Sequence, residues 1–245
     1  MNKKTVWLIG SNSDIAKAFV RKYCSDFSAV VLASRDYKKV CEFRDELNSE
    51  SIKAFELDIS DKKSIDSFVE SAPAPDIVIL SAGYIQYSGK IEDMSSANII
   101  RTYRTNIEGP SILIEKIYKT MHEKSGGMVI ALSSCAGERG KSSNRIYAAS
   151  KAALTVYLEG FMQSAYKDNI KTVIIKLGRA DTKMLKKAST TKQNFFLCSS
   201  EQAADFIMST IRKNKSQICY YKKIWKLIMA AYRMIPLKIY NRIDF

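Results

Sequence analysis

Seven short runs of apolar and β-branched residues punctuate the chain, and longer stretches with apolar positions three and four apart separate most of them. The short runs are Thr5–Ile9, Ala29–Ala33, Ile52–Glu56, Asp76–Leu80, Gly127–Leu132, Lys171–Lys176 and Gln217–Tyr220. Runs of four to eight residues suit strands, whereas a period near 3.6 is helical. The helical pattern covers Asp14–Cys24, Tyr37–Asn48, Lys62–Ala72, Met94–Lys124, Arg145–Tyr166 and Glu201–Lys213. Strand–helix alternation predicts a parallel sheet of about seven strands, because right-handed crossovers lay helices on both faces. The expected architecture is α/β: one doubly wound domain over residues 1–220, with ligands at the C-terminal strand ends, and a helical tail over 221–245. Arg179–Ser200 breaks the rhythm, being long, polar and without period. Loops of that length are usually functional, and this one is a candidate substrate lid.

The 245 residues suffice for one such domain with a substantial core, and no internal repeat is present. Five cysteines (Cys24, Cys41, Cys135, Cys198 and Cys219) are scattered without a CxxC pair, and His122 is the sole histidine. That pattern excludes a zinc cluster, predicts no metal site and fits a reducing compartment. The start, Met-Asn-Lys-Lys-Thr-Val-Trp-Leu-Ile-Gly, has the charged opening of a signal peptide, but its apolar run stops too soon and reads as the first strand. No run of ~18 apolar residues offers a membrane span. The expected location is therefore cytoplasmic. A formal charge of +14 admits nucleic acid, an anionic membrane surface or a phosphorylated substrate as partner, and also a basic surface with no ligand. No RNP-like, zinc or helix-turn-helix pattern supports nucleic acid.

The candidate chemistry sits in Ser134-Cys-Ala-Gly-Glu-Arg-Gly-Lys-Ser-Ser-Asn-Arg-Ile-Tyr147-Ala-Ala-Ser-Lys151. A Tyr and a Lys four apart share one helix face, and a nearby ammonium favours the phenolate. Tyr147 thereby becomes a usable proton donor or acceptor near neutral pH. Ser134 stands at the end of the apolar run Met128–Leu132, thirteen residues upstream. Another strand-end loop, Gly10-Ser-Asn12-Ser13-Asp14-Ile15-Ala16, opens the first helix, whose N-terminus suits a pyrophosphate. Either Ser13 or Asp14 is placed to cap that helix. An ordinary capped helix start would look similar.

This combination resembles the short-chain dehydrogenase/reductase superfamily over roughly residues 5–220. The resemblance implies a Rossmann-type fold and an NAD(P)-dependent oxidoreductase. It implies that Ser134 hydrogen-bonds the substrate carbonyl, that Tyr147 is the proton donor, and that Lys151 tunes Tyr147 and grips the nicotinamide ribose. Asn106, in Arg-Thr-Asn-Ile-Glu-Gly, matches a helix-interrupting asparagine whose backbone carbonyl holds a water; a structural Asn tying two helices is the alternative. The glycine-rich pattern Gly-x-x-x-Gly-x-Gly keeps Gly10 but has Asp14 and Ala16 at its other positions. Asn12, Ser13 and Ile15 complete the expected phosphate loop. Ser34 stands where an acid would hold the NAD ribose, and Arg35 follows it, so NADP(H) is expected over NAD(H), although Asp36 keeps NAD in play. Asp58-Ile59 matches the adenine edge, with an N-cap for the following helix as the alternative role of Asp58. Ser81-Ala82-Gly83 stands where Asn-Ala-Gly is usual. Leu177-Gly178-Arg179-Ala180-Asp181-Thr182 matches Pro-Gly-x-x-x-Thr, which puts Thr182 at the nicotinamide amide. Cys135 reads as a small apolar residue. Ala148, Ala149, Ala152 and Ala153 permit close helix approach, and family members pair through that helix, so a homodimer or homotetramer is expected.

Residues 221–245 hold six Lys or Arg and one Asp, a net +5. Lys222, Lys226 and Arg233 are expected on one face of a helix ended by Pro236, opposite Ile224, Leu227, Ile228, Ala231 and Ile235. A basic amphipathic helix with Trp225 and Tyr232 suits an anionic bilayer, so residues 222–243 are a candidate peripheral attachment to the inner membrane face. A helix packed on its own domain or across a dimer is the competing reading. The tail and the Gly-x-x-Ser-Asp-Ile start are similar to reductases of polyprenyl-phosphate keto-sugars and of surface-polysaccharide clusters. The resulting expectation is an NADPH-dependent reductase of a lipid- or nucleotide-linked keto-sugar. Reduction of a soluble or lipid-chain ketone, an NADP-binding regulator and a nucleic-acid-binding protein on the same fold are the alternatives.

Overall fold

The structure, a computed structural model, describes residues 4–86, 95–182 and 197–242. Seven strands form: β1 (Thr5–Ile9), β2 (Ala29–Ser34), β3 (Ile52–Glu56), β4 (Ile77–Leu80), β5 (Gly127–Ser134), β6 (Ile170–Leu177) and β7 (Gln217–Tyr220). They make one parallel sheet in the order β3-β2-β1-β4-β5-β6-β7. The order reverses direction between β1 and β4, which opens a crevice at their C-terminal ends.

Adjacent residues of β1 show how the two faces are built. Val6 and Leu8 enter a core with Phe19, Phe43 and Ile207 from α1 (Asp14–Tyr23), α2 (Tyr37–Leu47) and α7 (Ser200–Lys213). Trp7 and Ile9 enter the opposite core with Phe68, Leu113 and Leu158 from α3 (Lys62–Ser71), α5 (Gly109–Glu123) and α6 (Arg145–Ser164). Burial on both faces makes the central strands continuously apolar rather than alternating. β5 runs two residues beyond the expected Leu132, pairing Ser133 with Lys176 and Ser134 with Leu177. Polar side chains hid this extension, and it makes Ser134 the last residue of the strand.

The helix expected over Met94–Lys124 is corrected to two. α4 (Ser96–Tyr103) and α5 are separated by a π-turn over Arg104–Glu108, and Ser95 caps α4; Met94 lies outside the described residues. A π-turn inserts one residue without ending the helical pattern, so apolar periodicity runs straight through it. Arg179–Ser200 is described only at its flanks, where Cys198 N donates to Arg179 O at 2.9 Å and Asp181 N to Cys198 O at 2.8 Å. The remainder of this candidate lid lies outside the described residues.

The tail forms α8 (Lys223–Met234) and α9 (Leu237–Tyr240), with Pro236 capping the second. Its packing corrects the expected faces. Trp225, Ile228, Met229 and Tyr232 turn toward the domain, while Ile224, Leu227 and Ala231 are exposed. The helix carries apolar residues on more than one side, and contact with the domain selects among them. Among the described residues no helix is long and apolar enough to cross a membrane.

Candidate active site

The crevice is a cavity of about 910 Å³ running from the β1–α1 loop to the tail. All the expected cofactor residues line it: Gly10, Asn12, Ser13 and Ile15 from the first loop, Ser34 and Arg35 after β2, and Asp58 and Ile59 after β3. Ala82 and Gly83 after β4 and Thr182 after β6 join them, as do Ser134, Tyr147 and Lys151. Asn106 does not line the cavity; its neighbour Thr105 does.

Gly10 has φ +84°, and a Cβ there would lie 2.5 Å from Ala82 N, so the β1 and β4 loops approach as only glycine allows. Ser13 caps α1 by accepting from Ala16 N at 3.1 Å, which settles the capping role between Ser13 and Asp14. Asp14 is the first helical residue and lines the cavity. Ser81, at the position of the usual Asn, donates toward Ile9 O (2.9 Å) and lies 3.1 Å from Gly10 O, so a hydroxyl ties β4 to the glycine loop. Asn12 Nδ2 donates to Asp36 O at 3.1 Å, while its buried Oδ1 has no protein partner. A tight glycine turn, a capped helix N-terminus and an unsatisfied buried acceptor fit a nicotinamide dinucleotide at this end.

Arg35 is 58% exposed at the cavity edge, with Nη1 3.9 Å from Asp58 Oδ2. Asp58 Oδ1 accepts from Ser60 N (2.9 Å) and Ser60 Oγ (2.6 Å), which fixes it beside the cleft. Asp36 is engaged elsewhere: it caps α2 and pairs with Lys39, which holds its carboxyl below the usual range.

At the other end, β5 delivers two serines to different places. Ser133 is buried against Thr155 Oγ1 at 2.9 Å. Ser134 ends the strand and accepts from Ala136 N at 3.1 Å. Lys151, 4% exposed, lies 5.8 Å from the Tyr147 ring centre and donates to Leu132 O at 2.8 Å. Burial pulls its pKa down to about 8. Asn106, 1% exposed, clamps the backbone of Tyr84, accepting from its N (2.7 Å) and donating to its O (2.8 Å). Its Nδ2 also donates to Ser150 Oγ at 2.9 Å, and Ser150 Oγ donates to Tyr147 O at 2.7 Å. The Asn106 side chain therefore braces the turn that carries Tyr147. Burial pushes the Cys135 thiol up to about 12, consistent with a packing role.

Sequence reasoning missed part of the cavity lining. Tyr84, Arg101, Asn144, Trp225, Ile228, Met229 and Tyr232 line the cavity as well. A tryptophan in an otherwise basic helix was the available signal. Behind this wall lies Glu138, its side chain 3% exposed, which pairs with Lys176 (2.5 Å) and Arg233 (3.2 Å) and accepts from Tyr220 (2.7 Å). Burial pushes the Glu138 carboxyl up, but Lys176, Tyr220 and Arg233 outweigh it and hold it below its usual value.

A family model described as short chain dehydrogenase matches residues 4–193. An uncharacterized oxidoreductase of Staphylococcus aureus (strain MW2) is 29% identical over 186 residues, covering 74% of this chain and 80% of that protein. An NADP-dependent 3-hydroxy acid dehydrogenase of Schizosaccharomyces pombe is 24% identical over 190 residues, covering 74% and 73%. A short chain dehydrogenase from Burkholderia cenocepacia J2315 in complex with NADP shares the fold at TM-score 0.83 and 14% identity, over 98% of this chain and 97% of that one. A short-chain dehydrogenase from Sphingobium yanoikuyae in complex with NADPH does so at TM-score 0.81 and 16% identity, over 98% and 96%.

Proposed function

The chain belongs to the short chain dehydrogenase family, and from that premise we propose that it is a ketone reductase using NADPH in preference to NADH. The observation that carries this is Ser134, Tyr147 and Lys151 lining one end of a cleft whose other end fits a dinucleotide. The relatives and neighbours whose names include NADP or NADPH support the cofactor choice, as does Arg35 at the ribose end. Bound nicotinamide supplies the hydride. The Ser134 hydroxyl donates to the substrate carbonyl oxygen and fixes its position. As that oxygen gains an electron pair, the Tyr147 hydroxyl gives it a proton, and the Lys151 ammonium stabilises the phenolate left behind. Asn106 acts through structure, bracing Tyr147, and its main-chain carbonyl in the π-turn holds the water that returns a proton to Lys151.

The substrate we infer is a keto-sugar on a lipid or nucleotide carrier in envelope polysaccharide synthesis. Its hydroxyls would satisfy Asn144 Oδ1, a buried cavity-lining acceptor with no protein partner. Positive charge at Arg101, Arg139 and Lys141 suits a phosphate-bearing carrier. Reduction of a soluble or lipid-chain ketone is the second reading, favoured by the apolar side chains of Trp225, Ile228 and Met229 in the cavity. For attachment to an anionic bilayer, the outer side of the tail offers Leu227 (68% exposed), Met234 (82%) and Leu237 beside Lys223, Lys226 and Lys238.

Tyr147→Phe tests the chemistry: reduction should fall ~10²–10⁴-fold with NADPH affinity nearly unchanged, and retention of more than about a hundredth of wild-type kcat contradicts the assignment. Flotation with anionic liposomes tests the surface. Lys223→Glu/Lys226→Glu and Leu227→Ser should each weaken binding while leaving turnover of a small soluble ketone intact.

A further inference from the structure

We propose that α8 is the substrate-selecting wall of the cleft, and that Trp225, Ile228 and Met229 recognise an uncharged ring or hydrocarbon face flanking the reacting carbonyl. The proposal rests on the reductase reading and names the substrate feature that reading leaves open.

The wall is seated on the catalytic elements themselves. Gly178 directly follows β6, and a Cβ there would lie 2.6 Å from both Cε2 and Nε1 of Trp225. The indole therefore rests on the bare Gly178 backbone, between the strand end and the cavity. The other end of α8 is held by the turn that follows Ser134. Arg139 donates to Tyr232 O at 2.6 Å, and Glu138 pairs with Arg233 at 3.2 Å. The same turn reaches α9, where Tyr240 donates its hydroxyl to Gly140 O and lies under the Arg139 guanidinium at 3.8 Å. Glu138 is in turn anchored on β6 through Lys176 and on β7 through Tyr220. A helix loosely appended to a domain would have no such pairing with a buried carboxylate. The turn that follows Ser134 and the helix beside the cleft are thus tied directly to each other.

The chemistry of the wall gives the selectivity. Every α8 residue lining the cavity is apolar or aromatic, while its Lys and Arg side chains are not among the lining residues. An indole face takes the C–H face of a ring or a hydrocarbon segment, and offers nothing to a negative charge placed next to the carbonyl. Each lost apolar contact in such a pocket lowers kcat/KM by tens of fold. Small ketones that do not reach Trp225 lose nothing.

The test compares cyclohexanone with acetone as substrates, using the full chain with NADPH. Trp225→Ala should lower kcat/KM for cyclohexanone about tenfold or more, chiefly through KM. Acetone turnover and NADPH affinity should change less than about threefold, and Trp225→Phe should restore the ring preference. Gly178→Ala, which displaces the indole, should also lower kcat/KM for cyclohexanone. Equal losses for both ketones, or none for either, would overturn the wall. A second readout needs no turnover. Trp7 is buried in the core, so saturable fluorescence quenching by cyclohexanone should occur in wild type and vanish in Trp225→Phe. Saturable quenching without turnover of any ketone sinks the reductase reading and leaves the wall standing. Absence of saturable quenching overturns the wall even if ketones are reduced.

Discussion

The Lys151 ammonium donates to the Leu132 carbonyl oxygen across 2.8 Å, where α6 passes the end of β5. A positive charge buried at that point is costly to the fold and useful to the chemistry.

Burial lowers the Lys151 pKa to about 8 in the folded protein, below its unfolded value of ~10.4. The folded state then binds fewer protons than the unfolded one between those values, so this group makes stability rise with pH from about 8 to ~10.4. Below pH 8 its burial cost is fully present. Lys151→Met should be inactive yet more stable at pH 7, by on the order of 1–3 kcal/mol, and should lose the alkaline rise. Denaturant titrations at pH 7 and pH 10 check this. A less stable variant at pH 7 contradicts the assigned burial cost.

Arg35 at the ribose end predicts the cofactor preference. Arg35→Ala removes a charge-assisted pair with a 2′-phosphate, so NADPH affinity should fall by about 1.5–3 kcal/mol while NADH affinity stays nearly constant. Titrations with both cofactors measure it. Equal losses place 2′-phosphate recognition elsewhere.

Glu138 joins β6, β7 and α8, and its folded pKa lies below the unfolded value of ~4.3. Its stabilisation is therefore full above that unfolded value and disappears as pH falls through the lower folded one. Glu138→Gln leaves Lys176 without its buried partner and should cost about 3–5 kcal/mol at pH 7. The difference from wild type should shrink in acid. Chemical denaturation at pH 7 and pH 3 reads both limbs, and a pH-independent difference would rule out the ionic network.

α6 presents Ala149, Ala153 and Val156 to solvent along one stripe, with Val156 67% exposed. The expected homodimer through this helix predicts that Val156→Arg yields a monomer while the wild type sediments as a dimer or tetramer at micromolar concentration. A monomeric wild type sinks the pairing.

The expectations that held share a physical basis in local pattern. Strands such as Thr5–Ile9 appear as read, because an apolar run of that length is buried on both faces of a parallel sheet. Gly10, Ser134, Tyr147 and Lys151 line one cavity, a grouping that was legible because their spacing on strand ends and one helix turn is short-range geometry. The π-turn at Arg104–Glu108 was not, since apolar period survives an inserted residue. A structural Asn106 tying two helices was legible as an alternative, but its partners Tyr84 and Ser150, 22 and 44 residues away in the chain, were not.

The tail marks the boundary most clearly. Its composition determined that residues after 221 form a basic amphipathic helix ended at Pro236, because period, charge and a missing N–H act locally. Which side of that helix faces inward was open, since apolar residues lie on more than one side. Tertiary structure decided it: the bare backbone of Gly178 admits the Trp225 indole, and buried Glu138 takes Arg233. Those contacts join residues 47 and 95 positions apart, and no pattern along the chain records which distant neighbour leaves room for a ring.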